Sequence, residues 1–116
     1  MKPNSQLFKG SLTTIVLSLL SKEGKMYGYE ITKKVKEQSN GSLSLTEGAL
    51  YPALHRLEAD GMVDVTIEIV DNRPRKYYSL TKAGKKEVKN KLQELSAFIR
   101  QMEALLNLKP GTAFPY

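Results

Sequence analysis

The chain contains no cysteine and no tryptophan, and its 116 residues include a single histidine, His55. Without thiols there can be no disulfide, no thiolate zinc site and no cysteine nucleophile. One histidine excludes any centre built from several imidazoles within one chain. Acidic residues are the minority: 12 Asp and Glu stand against 18 Lys and Arg, a formal charge of +6. That surplus favours an anionic partner such as nucleic acid and carries no information about fold. Hydrophobic residues make up 41% and charged residues 26%. This balance suits one modest core and excludes a multidomain enzyme.

Long hydrophobic runs are also scarce. The most apolar stretch, residues 12–20, follows Lys2 and Lys9 and superficially imitates a secretion signal. Thr13, Thr14 and Ser18 interrupt it, no small-x-small cleavage pattern follows at Ser21–Gly24, and nine residues are too few to cross a bilayer. Phe8, Leu12, Ile15, Val16, Leu19 and Leu20 instead share one helical face. The expectation is a cytoplasmic chain with no membrane partner, whose first helix runs from Phe8 to Lys22 and stops at Gly24.

A second helix is predicted over Tyr27–Gln38, with Ile31 and Val35 inward, ending in Ser39-Asn40-Gly41. Ser42–Leu45 alternates polar and apolar residues and reads as a very short strand. Thr46 is a favourable N-cap for a third helix, with Glu47 in its first turn. Its apolar face is Ala49, Leu50, Ala53, Leu54 and Leu57, and Gly61 closes it. Pro52 removes a backbone hydrogen bond and should bend the helix, so either the first turn is loosely wound or the helix proper begins nearer Tyr51. Residues 62–70 place Val63, Val65, Ile67 and Ile69 on one side and Asp64, Thr66 and Glu68 on the other, the pattern of a half-buried strand. Asp71–Pro74 reads as a turn and Lys76–Leu80 as the returning strand of a hairpin, with Tyr78 and Leu80 in the core. Thr81 caps a last helix from Lys82 to about Asn107, before Pro110-Gly111. Along it Val88, Leu92, Leu95, Ile99, Met102 and Leu106 recur at alternating spacings of four and three, a coiled-coil-like seam. Such a helix, roughly 39 Å long, outruns a domain of this size, so the seam is expected to cross to a second copy.

The fold class expected from this order is mainly α with a small β-hairpin. It is a winged helix-turn-helix domain over residues 1–81, a long dimerisation helix over 82–108 and a short tail over 109–116. In such a fold the third helix enters a major groove and the hairpin, or wing, reaches the backbone or the adjacent minor groove. The expected DNA contacts are Tyr27, Tyr29, Ser44, Thr46, Glu47, Tyr51, Pro52, Arg73, Arg75 and Lys76. His55 reads as a surface residue one turn beyond Tyr51, and Arg56 as a structural residue paired with an acid on a neighbouring element. A two-fold dimer would match a near-palindromic operator in double-stranded DNA. No glycine-rich phosphate loop, metal-ligand cluster or nucleophile–base pair is present, so no enzyme, metal or cofactor is expected. A winged-helix module that binds protein alone would fit the fold but leaves the basic wing tip without a reason.

The same residues carry a family resemblance. The stretch from Glu47 to Gly61 (EGALYPALHRLEADG) resembles the recognition-helix signature of the PadR family of bacterial transcriptional regulators. Arg73–Gly84 (RPRKYYSLTKAG) is similar to that family's wing and wing-to-helix signature, and Tyr27–Ile31 (YGYEI) to its second-helix start. The resemblance spans about residues 8–107. One departure is Asn72, where glycine is common; asparagine tolerates a positive φ. The resemblance implies a homodimeric repressor of the small subclass with one C-terminal helix, released in some members by a small aromatic or hydrophobic effector. Some drug-responsive members sandwich ligands with an interface tryptophan, a residue this chain does not contain.

Overall fold

The apolar face read over Phe8–Lys22 is real, but two helices carry it. In the computed structural model, which describes residues 6–109, α1 (Gln6–Gly10) and α2 (Leu12–Glu23) meet at Ser11. Gly10 costs the helix about 1 kcal/mol relative to alanine. Ser11 leaves helical geometry at φ −101° and ψ 3°, and its N–H bonds back to the Leu7 and Phe8 carbonyls at 3.2 and 3.1 Å. The single helix expected there is therefore broken, yet Phe8, Leu12, Val16, Leu19 and Leu20 are all buried together. Residues 12–20 form a core helix, and among the described residues no helix is long and apolar enough to cross a membrane.

The sheet has three antiparallel strands in the order β1-β3-β2: β1 (Met26–Tyr27), β2 (Val63–Val70) and β3 (Arg73–Leu80). The short strand expected at Ser42–Leu45 does not form. Alternation alone leaves a strand's backbone groups unpaired, and Met26–Tyr27 takes the free edge of β3, Met26 opposite Tyr78 and Tyr27 opposite Tyr77. Residues 39–46 remain a loop, pinned where the Ser39 hydroxyl accepts from the Leu43 N–H at 3.0 Å and where Leu45 is buried.

The hairpin turn is tighter than the four residues expected. Only Asp71 and Asn72 lie in it, with φ of 50° and 63°, and Arg73 and Pro74 already belong to β3 opposite Val70 and Ile69. Two consecutive positive φ values suit the right-handed twist of the flanking strands. Asn72 thus takes the conformation for which glycine is more usual. The burial expected along β2 holds only at its root. Val63 is buried, but Ile67 and Ile69 are 63% and 70% exposed because the hairpin extends past the core.

Helix α3 spans Gly28–Gln38 and α4 spans Glu47–Ala59. Helix α4 is unbroken through Pro52, so the alternative start near Tyr51 is not used. Leu50, Leu54 and Leu57 bury its inner face, whereas Ala49 is exposed, contrary to expectation; a step of 100° from Leu50 carries it off that face. Thr81 caps α5 (Lys82–Leu105): its Oγ1 accepts from the Gly84 N–H at 2.9 Å and donates to the Gly61 carbonyl at 2.7 Å. Helix α5 ends two residues short of Asn107, which turns left-handed at φ 59° while the Leu108 N–H reaches the Glu103 carbonyl at 2.8 Å. Pro110-Gly111, expected to end the helix, and the tail beyond Lys109 lie outside the described residues.

Candidate nucleic-acid interface

The geometry of α4 begins with its cap. The Thr46 Oγ1 accepts from the Ala49 N–H at 3.2 Å, and Glu47 sits in the first turn, where a negative charge complements the helix dipole. With Leu50, Leu54 and Leu57 facing the core, the 100° step puts Gly48, Pro52, His55 and Ala59 on the opposite stripe, and all four are exposed. Tyr51 lies on the flank, half-buried, its ring 6.5 Å from that of His55. Its hydroxyl packs over Gly28, where an added Cβ would come within 2.5 Å of the oxygen. Ser44, in the loop leading to α4, is exposed, as are Thr46 and Glu47.

Helix α3 contributes its start. Tyr27 is the N-cap residue, and its backbone N–H donates to the Glu30 carboxylate at 3.1 Å. Tyr29 is exposed, and its ring stacks on Tyr27 with centroids 6.4 Å apart and planes at 24°.

Strand alternation divides the wing's cations. Arg73, Arg75 and Tyr77 share one face with Glu68, while Lys76 lies on the other face opposite Ile67. The three cations expected to act as a group are therefore split. Arg73 is exposed at the tip. The Arg75 guanidinium lies 4.1 Å from the centre of the Tyr27 ring, and the Tyr27 ring meets Tyr77 edge-on at 5.5 Å and 71°. A hydrogen bond with Tyr77 holds the Arg75 pKa above its ordinary value, the tyrosine and Asp71 fields adding to it. On the same face Lys25 pairs with Glu68 and passes 5.2 Å over the Tyr77 ring. The hydrogen bond to Glu68 raises the Lys25 pKa.

Several residues at this surface were not singled out from the sequence. Gly48 and Ala59 follow once the buried stripe of α4 is known, so the helical period contained that signal, and His55 is exposed as expected. Lys25, Glu68 and Tyr77 depend on the β1–β3–β2 order, for which no local pattern exists. Arg56 is exposed and forms no salt bridge with a described residue, so the structural pairing expected of it is absent. Among the described residues no group of three or more His, Asp or Glu could hold a metal ion.

The seam of α5 changes character along its length. Val88 is buried against the domain, whereas Leu92, Ile99 and Leu106 are 42%, 48% and 60% exposed, and Leu95 and Met102 are half-buried. Beside it lies an open groove of about 270 Å³ lined mainly by Ile15, Leu19, Val35, Leu43, Leu92 and Leu95.

Comparison with known proteins agrees with this architecture. The family described as "Transcriptional regulator PadR-like family" matches residues 16–90. A transcriptional regulator of Mycobacterium tuberculosis is 32% identical over 80 residues, covering 69% of this chain and 72% of that one. The "Negative transcriptional regulator PadR" of Bacillus subtilis is 34% identical over 74 residues, 63% of this chain and 40% of its own. The structure of a transcriptional regulator from Clostridium thermocellum superimposes with a TM-score of 0.76 at 33% identity, covering 89% of this chain and 96% of that one. With its winged helical domain, its C-terminal helix and a family match over most of its length, the chain belongs to the PadR-like family of transcriptional regulators.

Proposed function

We propose that this transcriptional regulator is a cytoplasmic, homodimeric, sequence-specific DNA-binding repressor. The observation that carries the reading is the outward stripe of α4, which is exposed along its length, in a domain that also exposes Tyr29 at the start of α3 and Arg73 at the wing tip. Small side chains at Gly48, Pro52 and Ala59 let a helix approach base edges closely, while Ser44, Thr46, Glu47 and Tyr51 stand near its N-terminus, where phosphates and base edges are met first. Tyr27, Tyr29 and Arg73 serve the backbone, and Lys76 reaches it from the opposite face of the wing. Residues 1–81 are the DNA-binding unit. Residues 82–108 are the proposed dimer segment, through Leu92, Leu95, Ile99, Met102 and Leu106, since the outer half of α5 exposes apolar side chains that no described residue covers; Val88, expected in the same seam, is buried against its own domain. Repression is supported by the name of the Bacillus subtilis relative. A small aromatic or hydrophobic effector is the proposed release signal, and the apolar groove beside Leu92 and Leu95 is a fitting place for it.

The test is a mobility-shift titration on DNA upstream of the chain's own gene, against random duplex, between about 50 and 200 mM salt. The proposal expects preference for the upstream DNA and a steep loss of affinity with salt. Equal binding to random duplex, or none to either, overturns it.

A further inference from the structure

Wing cations are usually read as direct phosphate contacts, yet Arg75 is already committed within the protein. Its guanidinium covers the Tyr27 ring at 4.1 Å, and it is half-buried while Arg73, two residues earlier on the same face, is exposed. Tyr27 is the N-cap of α3 and pairs with Tyr77 of β3, and Tyr29 stacks on Tyr27. From the other side Lys25 reaches across β3 to Glu68 of β2 and lies over Tyr77. The order Arg75, Tyr27, Tyr77, Lys25, Glu68 is thus a continuous clasp across all three strands, joining the start of α3 to the middle of the wing.

We infer that Arg75 is a positioning residue: its stack on Tyr27 locks the wing to the start of α3 and sets where Arg73 and Tyr29 stand relative to α4. The physical ground is the hairpin's lack of other support. Beyond Val65 no described residue builds a core beneath the wing, with Ile67 and Ile69 largely exposed, and an unsupported two-stranded ribbon is only marginally ordered in water. A planar guanidinium that stacks on an aromatic face suits a brace better than a lysine would. The inference concerns the wing of the DNA-binding reading above, but the clasp itself exists in the free protein and can be tested there.

The test combines amide hydrogen exchange of the free protein with salt-dependent DNA binding for Arg73→Ala, Arg75→Ala, Tyr27→Ala and the Arg75→Ala/Tyr27→Ala pair. In the free protein, Arg75→Ala should speed exchange across Glu68–Tyr77 by about tenfold and Tyr27→Ala by at least as much, since it also removes the contact with Tyr77; the pair should exchange no faster than Tyr27→Ala alone, because loss of the ring already removes the Arg75 stack. Arg73→Ala should leave that exchange unchanged. On DNA, Arg73→Ala should lower the slope of log affinity against log salt by about 0.9, the signature of one lost phosphate contact. Arg75→Ala should weaken binding about tenfold with the slope preserved. Unchanged wing exchange in Arg75→Ala overturns the clasp whether or not DNA binds. A slope lowered by Arg75→Ala, with losses that add to those of Tyr27→Ala, makes Arg75 a phosphate contact and overturns its positioning role. Failure of the wild-type chain to bind DNA would sink the functional proposal alone, since the exchange result judges the clasp independently.

Discussion

The Tyr51 hydroxyl rests on Gly28, so the first residue of α3 and the first turns of α4 touch through a phenol with no room for a methyl group between them. Gly28→Ala places a Cβ 2.5 Å from that oxygen. Overpacking of this kind costs typically 1–3 kcal/mol, and Tyr51 is half-buried, so it can retreat only by leaving its place beside His55. The expected outcome is a loss of about 1–2 kcal/mol in urea unfolding. Gly10→Ala, whose new methyl group would meet nothing within 4 Å, should be neutral or gain about 0.4–1 kcal/mol. Equal stability of the two variants contradicts the contact between Tyr51 and Gly28.

Gly84 is held still more tightly. A Cβ on it would stand 2.0 Å from the Met62 carbonyl oxygen, and backbone cannot rotate aside as a ring can. Gly84→Ala should therefore cost about 3 kcal/mol or more, at the upper end of overpacking penalties. A thermal midpoint within a degree or two of wild type would show that α5 and the root of β2 are not locked together.

The two threonine caps should differ in weight. Thr46 receives one hydrogen bond, from Ala49, whereas Thr81 receives one from Gly84 and donates another to the Gly61 carbonyl. Thr46→Ala should cost about 1 kcal/mol. Thr81→Ala should cost about 1 kcal/mol more, because it also removes a hydrogen bond between elements. The check is chemical denaturation of both variants; the reverse ranking contradicts the assignment.

These caps were readable from the sequence, and so were Leu50, Leu54 and Leu57 on the buried face of α4, because each repeats a local period or a side-chain preference. What escaped reading depends on distant partners. Met26–Tyr27 is a strand only because β3 offers it an edge, and Ser42–Leu45, with better alternation, has none. Ile67 and Ile69 alternate as well as Val63 and Val65, but a period cannot show where the core ends. The break at Ser11 was hidden because the apolar face continues across it. Among the candidate contacts on α4, Pro52 stands on the outward stripe and Tyr51 on its flank, while Gly48 and Ala59 of that stripe were not named; the division of Arg73, Arg75 and Lys76 between two faces needed the register of the hairpin.

Alkaline pH should expose the buried phenol. Burial holds the Tyr78 pKa above its ordinary value near 10, and the fields of Tyr51 and Glu58 push the same way. The folded state therefore keeps this proton more tightly than the unfolded chain. Its contribution is complete below pH 10 and is lost as pH climbs past that value towards the folded pKa. Tyr78→Phe should flatten the fall of stability above about pH 10. An alkaline limb identical to wild type contradicts a buried, neutral phenol.

The exposed half of the α5 seam gives a prediction about assembly. Leu92→Asp with Ile99→Asp places two charges on the face proposed to meet a second copy, while the buried Val88 contact stays intact. Sedimentation should show a monomer with unchanged helical content by circular dichroism. A persisting dimer puts the interface elsewhere.

In the proposed dimer two copies present two α4 helices to the major groove and read sequence with them, which selection of bound sites from a randomised duplex pool can check. The expected result is enrichment of a near-palindrome whose half-sites lie about 10 base pairs apart, or a multiple of that spacing. Recovery of no enriched motif, or of a single unrepeated half-site, contradicts it.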